Sequence, residues 1–160
     1  KLQEELGNLS GFQEETISGH KVIISNRRQD WAGTANAELA QVHDRFAGEY
    51  LARFSDSRVT HRARQVICRL LPQGEPRRET VAQSLHLSER TLQRRLDEEG
   101  TSFQQLLDDT RRALAEQYLA RADLALLEVA YLLGFADPSN FFRAFRRWFA
   151  MTPGEYRAQR

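Results

Sequence analysis

Val81-Ala82-Gln83-Ser84-Leu85-His86-Leu87-Ser88-Glu89-Arg90-Thr91-Leu92-Gln93-Arg94-Arg95-Leu96 decides the fold of this chain, because the pattern returns further along. Val81, Ala82, Leu85 and Leu87 recur as Val129, Ala130, Leu133 and Phe135 at an offset of 48. Leu92, Arg94 and Leu96 recur as Phe141, Arg143 and Phe145 at an offset of 49, so the extra residue falls in a turn. Self-similarity of this kind means that one supersecondary unit is used twice.

Each copy reads as two short helices around a tight turn. The small residue, Ala82 or Ala130, lets the helices cross closely, and Leu87 or Phe135 plugs the turn. In the first copy Ser88 is a natural N-cap for a helix through about Glu98, with Gly100 as its stop. In the second, Asp137 caps, Pro138 takes the first helical position, and the helix runs to about Phe149. The pattern describes a helix-turn-helix whose second helix is anchored by Leu92 and Leu96, or by Phe141 and Phe145. Its remaining face holds Glu89, Arg90, Gln93 and Arg94 in the first copy, and Ser139, Asn140, Arg143, Arg146 and Arg147 in the second. Such side chains read base edges and phosphates in a major groove.

Outward from the repeat, Phe103, Leu106, Leu107, Thr110, Leu114 and Tyr118 mark a longer helix between the copies, ending near Arg121. At about 1.5 Å per residue it spans roughly 30 Å, near one turn of B-DNA. Thr152-Pro153-Gly154-Glu155 opens a last short helix as a capping box. Upstream, Arg62 to Leu71 carries Val66, Ile67, Leu70 and Leu71 on one side and stops at Pro72-Gln73-Gly74. Asn36 precedes a helix bearing Leu39, Val42, Phe46, Tyr50 and Phe54, an apolar face that must pack on this domain or on a second chain. His20 to Ser25 has the β-branched content of one short strand, which forms no sheet alone. The expected architecture is all-α: a seven-helix domain of two helix-turn-helix units joined by a long central helix, preceded by a short extension with one helix and a candidate strand. The first unit covers about 78–98, the linker helix about 102–121 and the second unit about 126–149, within a domain of 61–160. Residues 1–60, with a linker over Arg53 to Thr60, read as the tail of another domain.

Composition narrows the function. The chain has 160 residues, 41% hydrophobic and 28% charged, which is a globular balance and excludes disorder. Glu128 interrupts even the richest apolar stretch, Ala125 to Ala136, so no membrane span is expected. The chain starts at Lys1 without an export signal and reads as a fragment of an intracellular, cytoplasmic protein. One cysteine, Cys68, and four histidines in no chelating spacing predict no metal and no cofactor. Net charge is −2 over residues 1–60 and +3 over 61–160, and every basic residue of the second part is Arg. Arg presents a planar fork that suits phosphates and guanine edges.

The run Glu79 to Arg157, with V-A-Q-S-L-H-L-S-E-R-T-L-Q-R-R-L, L-L-E-V-A-Y-L-L-G-F-A-D-P-S-N-F-F-R-A-F-R-R-W-F and T-P-G-E-Y-R, resembles the C-terminal DNA-binding domain of AraC/XylS-type bacterial transcription regulators. E-E-G-T-S-F-Q-Q-L-L-D further resembles the subgroup with an arabinose-binding-like effector domain, of which residues 1–60 would be the tail. The resemblance implies promoter double-stranded DNA and RNA polymerase as partners, and a small-molecule effector acting through the absent part of that domain. Activation, repression and a homodimer stay open. Carried over by position, Arg90, Gln93 and Arg94, then Ser139, Asn140 and Arg143, would face bases. Thr91, Arg95, Arg146 and Arg147 would face phosphates. Two positions depart from the family: Ala125, where Ser or Thr usually caps the helix, and Ala150, where Gly usually ends the second reading helix.

Each feature has a plainer alternative. Arg94 and Arg143 could pair with nearby carboxylates, Gln93 and Asn140 could be ordinary exposed amides, and Cys68 lies in the phase of packed residues. Phe141, Phe145, Trp148 and Phe149 fall at core spacing, whereas Phe142 neighbours the reading face, where a ring could meet a thymine methyl. The acidic run Asp97-Glu98-Glu99 is expected to face solvent or a protein. Three functions compete: a sequence-specific DNA-binding regulator, which leads; a helical protein-interaction module without specific DNA binding; and an alkyl-transfer enzyme using Cys68, which lacks a base, metal set or phosphate loop. The expectation is that the chain is not an enzyme.

Overall fold

The computed structural model describes residues 13–17, 20–24, 34–54 and 58–160, with side chains over 37–54 and 58–160. Strands β1 (Gln13–Ile17) and β2 (His20–Ile24) pair antiparallel, Gln13 opposite Ile24 and Ile17 opposite His20. The expected strand therefore has a partner. Gln13-Glu14-Glu15 has little β propensity, so β1 is set by pairing rather than by composition. Ser25, and residues 55–57 of the expected linker, lie outside the described residues.

All other described elements are helical: α1 (Thr34–Leu51), α2 (Val59–Leu70) with a 3-10 turn at Leu71–Gln73, α3 (Arg78–Ser84), α4 (Glu89–Glu98), α5 (Phe103–Leu119), α6 (Leu126–Leu132), α7 (Pro138–Phe149) and α8 (Pro153–Ala158). Helices α2 to α8 are the seven expected. Local chemistry sets their starts. Ser88, Ser102, Asp137 and Thr152 each accept a hydrogen bond from a backbone N–H of the first turn they cap. Helix α2 has no such cap. Its Val59 and Thr60 N–H groups instead donate to the Glu99 carboxylate at 3.2 and 2.9 Å, across 39 to 40 residues.

Helix α5 is the spine of the domain, with Leu106, Leu107, Thr110, Arg111, Leu114, Ala115, Tyr118 and Leu119 buried along it. Helices α3 and α4 pack on α2, and α6 packs on α5 and on the Leu71–Gln73 turn. Helix α8 closes against α5 and α7.

The apolar face of α1 packs on this same domain, against α2, α5 and α6. Leu39, Ala47 and Tyr50 are buried there, and Phe46 meets the Tyr118 ring edge-on at 5.3 Å. His43, which the apolar reading of α1 passed over, lies at the centre of this contact. Its Nε2 donates to the Cys68 carbonyl and its Nδ1 faces the Tyr118 hydroxyl, both at 2.6 Å. A carbonyl only accepts, so Nε2 carries the proton and Nδ1 accepts from Tyr118. Burial pushes the His43 pKa down against the opposing pull of the Cys68 carbonyl and Asp44, so the ring is neutral.

Candidate nucleic-acid interface

The two repeats close their turns with the same pair of bonds. Leu87 N–H reaches the Ala82 carbonyl at 2.9 Å, and Phe135 N–H the Ala130 carbonyl at 3.1 Å. His86 N–H reaches Gln83, and Gly134 N–H reaches Tyr131, both at 3.0 Å. This paired pattern is a Schellman motif, closed by a left-handed residue and an apolar plug. The plugs are Leu87 and Phe135, both partly buried.

Beyond each turn the reading helix divides by face. On α4, Leu92 and Leu96 are fully buried, while Arg90, Gln93, Arg94 and Arg95 are exposed and Thr91 is half-buried. On α7, Phe141, Phe142 and Phe145 are fully buried, while Asn140, Arg143, Arg146 and Arg147 are exposed and Ser139 is half-buried. Phe142 is thus a core residue and unavailable to a thymine methyl. The period of 3.6 places it beside Phe145 rather than on the Arg143 side, and its ring centroid lies 5.7 Å from that of Phe141. Trp148 and Phe149 are half-buried in the same aromatic cluster.

Several candidate readers hold partners. Arg94 pairs with Glu98 at 3.2 Å, and Arg147 with both oxygens of Asp108 at 3.1 Å. Arg143 donates to the Asn140 carbonyl oxygen, joining two candidate readers of one half-site. Ser88 donates its hydroxyl hydrogen to Thr91 Oγ1 at 2.9 Å, which leaves the Thr91 hydrogen to be donated elsewhere. Exposed ion pairs of this kind contribute about 0 to 1 kcal/mol, so a phosphate or guanine edge can displace them. The acidic run at the end of α4 divides: Asp97 and Glu98 are exposed, Glu98 pairing with Arg94, whereas half-buried Glu99 caps α2.

Both departures from the family pattern show their local effect. Ala125 caps α6 without a side-chain bond, yet Glu128 accepts from the Ala125 N–H at 2.6 Å, so half of a capping box survives. Ala150 ends α7 at φ 59° and ψ 23°, the left-handed region where Gly is relaxed. The Cys68 thiol is buried and pushed up to about 12 by desolvation, the environment of a packing residue rather than a nucleophile.

Sequence reasoning missed two buried or capping groups that shape this interface. Glu99 looked like part of a solvated acidic run. Arg111, on α5, is 4% exposed and donates to the carbonyls of Leu133 and Gly134 at 2.7 and 3.1 Å, behind the second turn. Its signal was its phase, four residues after Leu107 and three before Leu114.

A family profile described as "Helix-turn-helix domain" matches residues 81–159. The ornithine utilization regulator of Pseudomonas aeruginosa is 51% identical over 86 residues, which are 54% of this chain and 25% of that protein. A DNA-binding transcriptional dual regulator from Escherichia coli K-12 superposes with a TM-score of 0.59 at 30% identity, over 66% of this chain and all of that one. The DNA-binding domain of AdpA, solved in complex with a target DNA, superposes with a TM-score of 0.56 at 29% identity, over 64% of this chain and 93% of that one. The chain belongs to the AraC-type helix-turn-helix family of transcription regulators. It spans about a quarter to a third of the length of the curated relatives it matches. Among the described residues no helix is long and apolar enough to cross a membrane.

Proposed function

We propose that residues 61–160 are the DNA-binding domain of a transcription regulator that reads two adjacent major-groove segments of a promoter, one with α4 and one with α7. The observation that carries this reading is the duplicated turn, each copy followed by a helix with a buried apolar face and an exposed face of Arg and amide side chains. Arg90, Gln93 and Arg94 read bases in one half-site, and Ser139, Asn140 and Arg143 in the other. Thr91, Arg95, Arg146 and Arg147 hold phosphates. Residues 1–60 are the end of an effector or dimerisation domain, through which a small molecule controls the regulator and a second copy associates. The protein works in the cytoplasm on double-stranded promoter DNA and recruits or positions RNA polymerase.

Selection of binding sites from a randomised duplex library tests the reading. The expected product is a bipartite motif whose halves lie about one helical turn, roughly 10 bp, apart. Absence of enrichment by the folded chain, together with duplex binding that lacks a steep salt dependence, puts the protein-interaction module ahead.

A further inference from the structure

The second unit is held from behind by a buried charge. Burial pulls the Arg111 pKa down against the opposing charges of Glu75 and Asp108, and a buried guanidinium is tolerated only where its donors are met. Here they are met by one structure. Nε and Nη2 go to the carbonyls of Leu133 and Gly134, Nη1 goes to Glu75 at 3.2 Å, and the guanidinium carbon lies 4.1 Å from the centre of the Phe135 ring. Leu133 and Gly134 follow the last residue of α6, at the negative end of that helix, where a cation is favoured. Gly134 is pressed from the other side as well. A Cβ there would stand 2.7 Å from the Gly74 carbonyl oxygen and 2.9 Å from that of Leu71.

The second turn is therefore gripped between α5 and the Leu71–Gly74 segment, and α7 begins four residues after Gly134. The corresponding residue of the first turn, His86, has an exposed side chain, whereas Gly134 is buried. From this asymmetry we infer that Arg111 is a positioning residue, which sets the orientation of α7 relative to α4 and with it the spacing between the two half-sites. The inference rests on the two-helix reading of DNA proposed above. Its geometric part holds without DNA.

The experiment combines both levels on the full 160-residue chain, with Arg111→Met, which removes the donors, and Arg111→Lys, which keeps the charge without the fork. Spin labels at Asp97→Cys on α4 and Arg146→Cys on α7 report the distance between the helices, and buried Cys68 stays unlabelled. The expected result is a narrow distance distribution that broadens or shifts in Arg111→Met and, to a smaller extent, in Arg111→Lys. In parallel, binding is measured to the selected duplex and to duplexes with either half scrambled. The half read by α7 should lose at least tenfold of its discrimination in Arg111→Met and about threefold in Arg111→Lys, while the half read by α4 keeps its own. A merely structural role would lower both halves together along with the melting temperature, and that result overturns the inference. So does an unchanged distance distribution in both folded variants; if Arg111→Met does not fold, Arg111→Lys alone decides. Loss of half-site discrimination in the unsubstituted chain would instead refute the DNA reading, with the label distances still deciding the role of Arg111.

Discussion

His86 and Gly134 stand at the same point of the two turns, 48 residues apart, and both take left-handed backbone, at φ 58° and 82°. The conformation is common to both; the surroundings are not. His86 is exposed, so replacing it by Gly relieves strain without losing packing, which outweighs the added freedom of the unfolded chain, and His86→Gly should raise stability by about 0.5 to 1 kcal/mol. Gly134→Ala adds strain and a clash with two carbonyl oxygens, and should lower stability by about 2 to 4 kcal/mol. Urea denaturation of the two variants beside the unsubstituted chain checks both signs.

Ala150 should behave like His86. Its side chain is exposed and its backbone left-handed, with the N–H already bonded to the Arg146 carbonyl at 2.8 Å. Ala150→Gly is expected to gain about 0.5 to 1 kcal/mol without changing DNA affinity, as read by thermal melting and duplex titration. A loss of stability would mean that the terminal strain at α7 is not where the dihedrals place it.

The contact of α1 with the domain should weaken in acid. The folded-state pKa of His43 is lowered, so below the ordinary histidine value of about 6.5 the unfolded chain binds more protons than the folded one. Stability from this group is therefore fully present above pH about 6.5 and declines as pH falls below it, by up to about 1.4 kcal/mol per unit until the folded pKa is reached. His43→Gln should cost about 2 kcal/mol at pH 8 and flatten the profile between pH 7 and 5. Denaturation at four pH values across that range shows whether the slope belongs to His43.

Glu99 acts in a lower window. Desolvation works to raise its pKa, but hydrogen bonds from Thr60 and Val59 and the charge of Arg58 outweigh that and hold it below the usual carboxylate range. A depressed folded pKa gives stability present above about pH 4.3 and lost as pH falls from there. Glu99→Ala should cost about 1 kcal/mol at neutral pH and speed hydrogen exchange at the Val59 and Thr60 amides. Unchanged exchange there would show that α2 does not depend on this long-range cap.

At the DNA, base readers and phosphate holders should separate by their salt and sequence behaviour. Arg143→Ala is expected to cost about 1 to 3 kcal/mol and relax specificity at one position, because it removes a forked donor that Asn140 helps to aim. Arg146→Ala should weaken binding to every sequence alike and reduce the salt slope by about one. Titrations on the selected site and on single-base variants at two salt concentrations distinguish the two outcomes.

Much of the fold is legible in the sequence because it is local. Ser88, Asp137 and Thr152 cap within three residues, Pro138 and Pro153 begin helices, and the 3.6 period sorts Leu92 and Leu96 from Arg90 and Arg94. The duplication is legible for the same reason, since each turn is closed by bonds between neighbours in the chain. What the tertiary structure decided are the contacts whose partners lie far away. The Glu99 cap on α2, His43 between Cys68 and Tyr118, and Arg111 behind Gly134 join polar groups that look solvated until the fold removes their water. Periodicity reports which residues avoid water, whereas a buried polar group is there because a distant donor or acceptor meets it, and no local pattern encodes that partner.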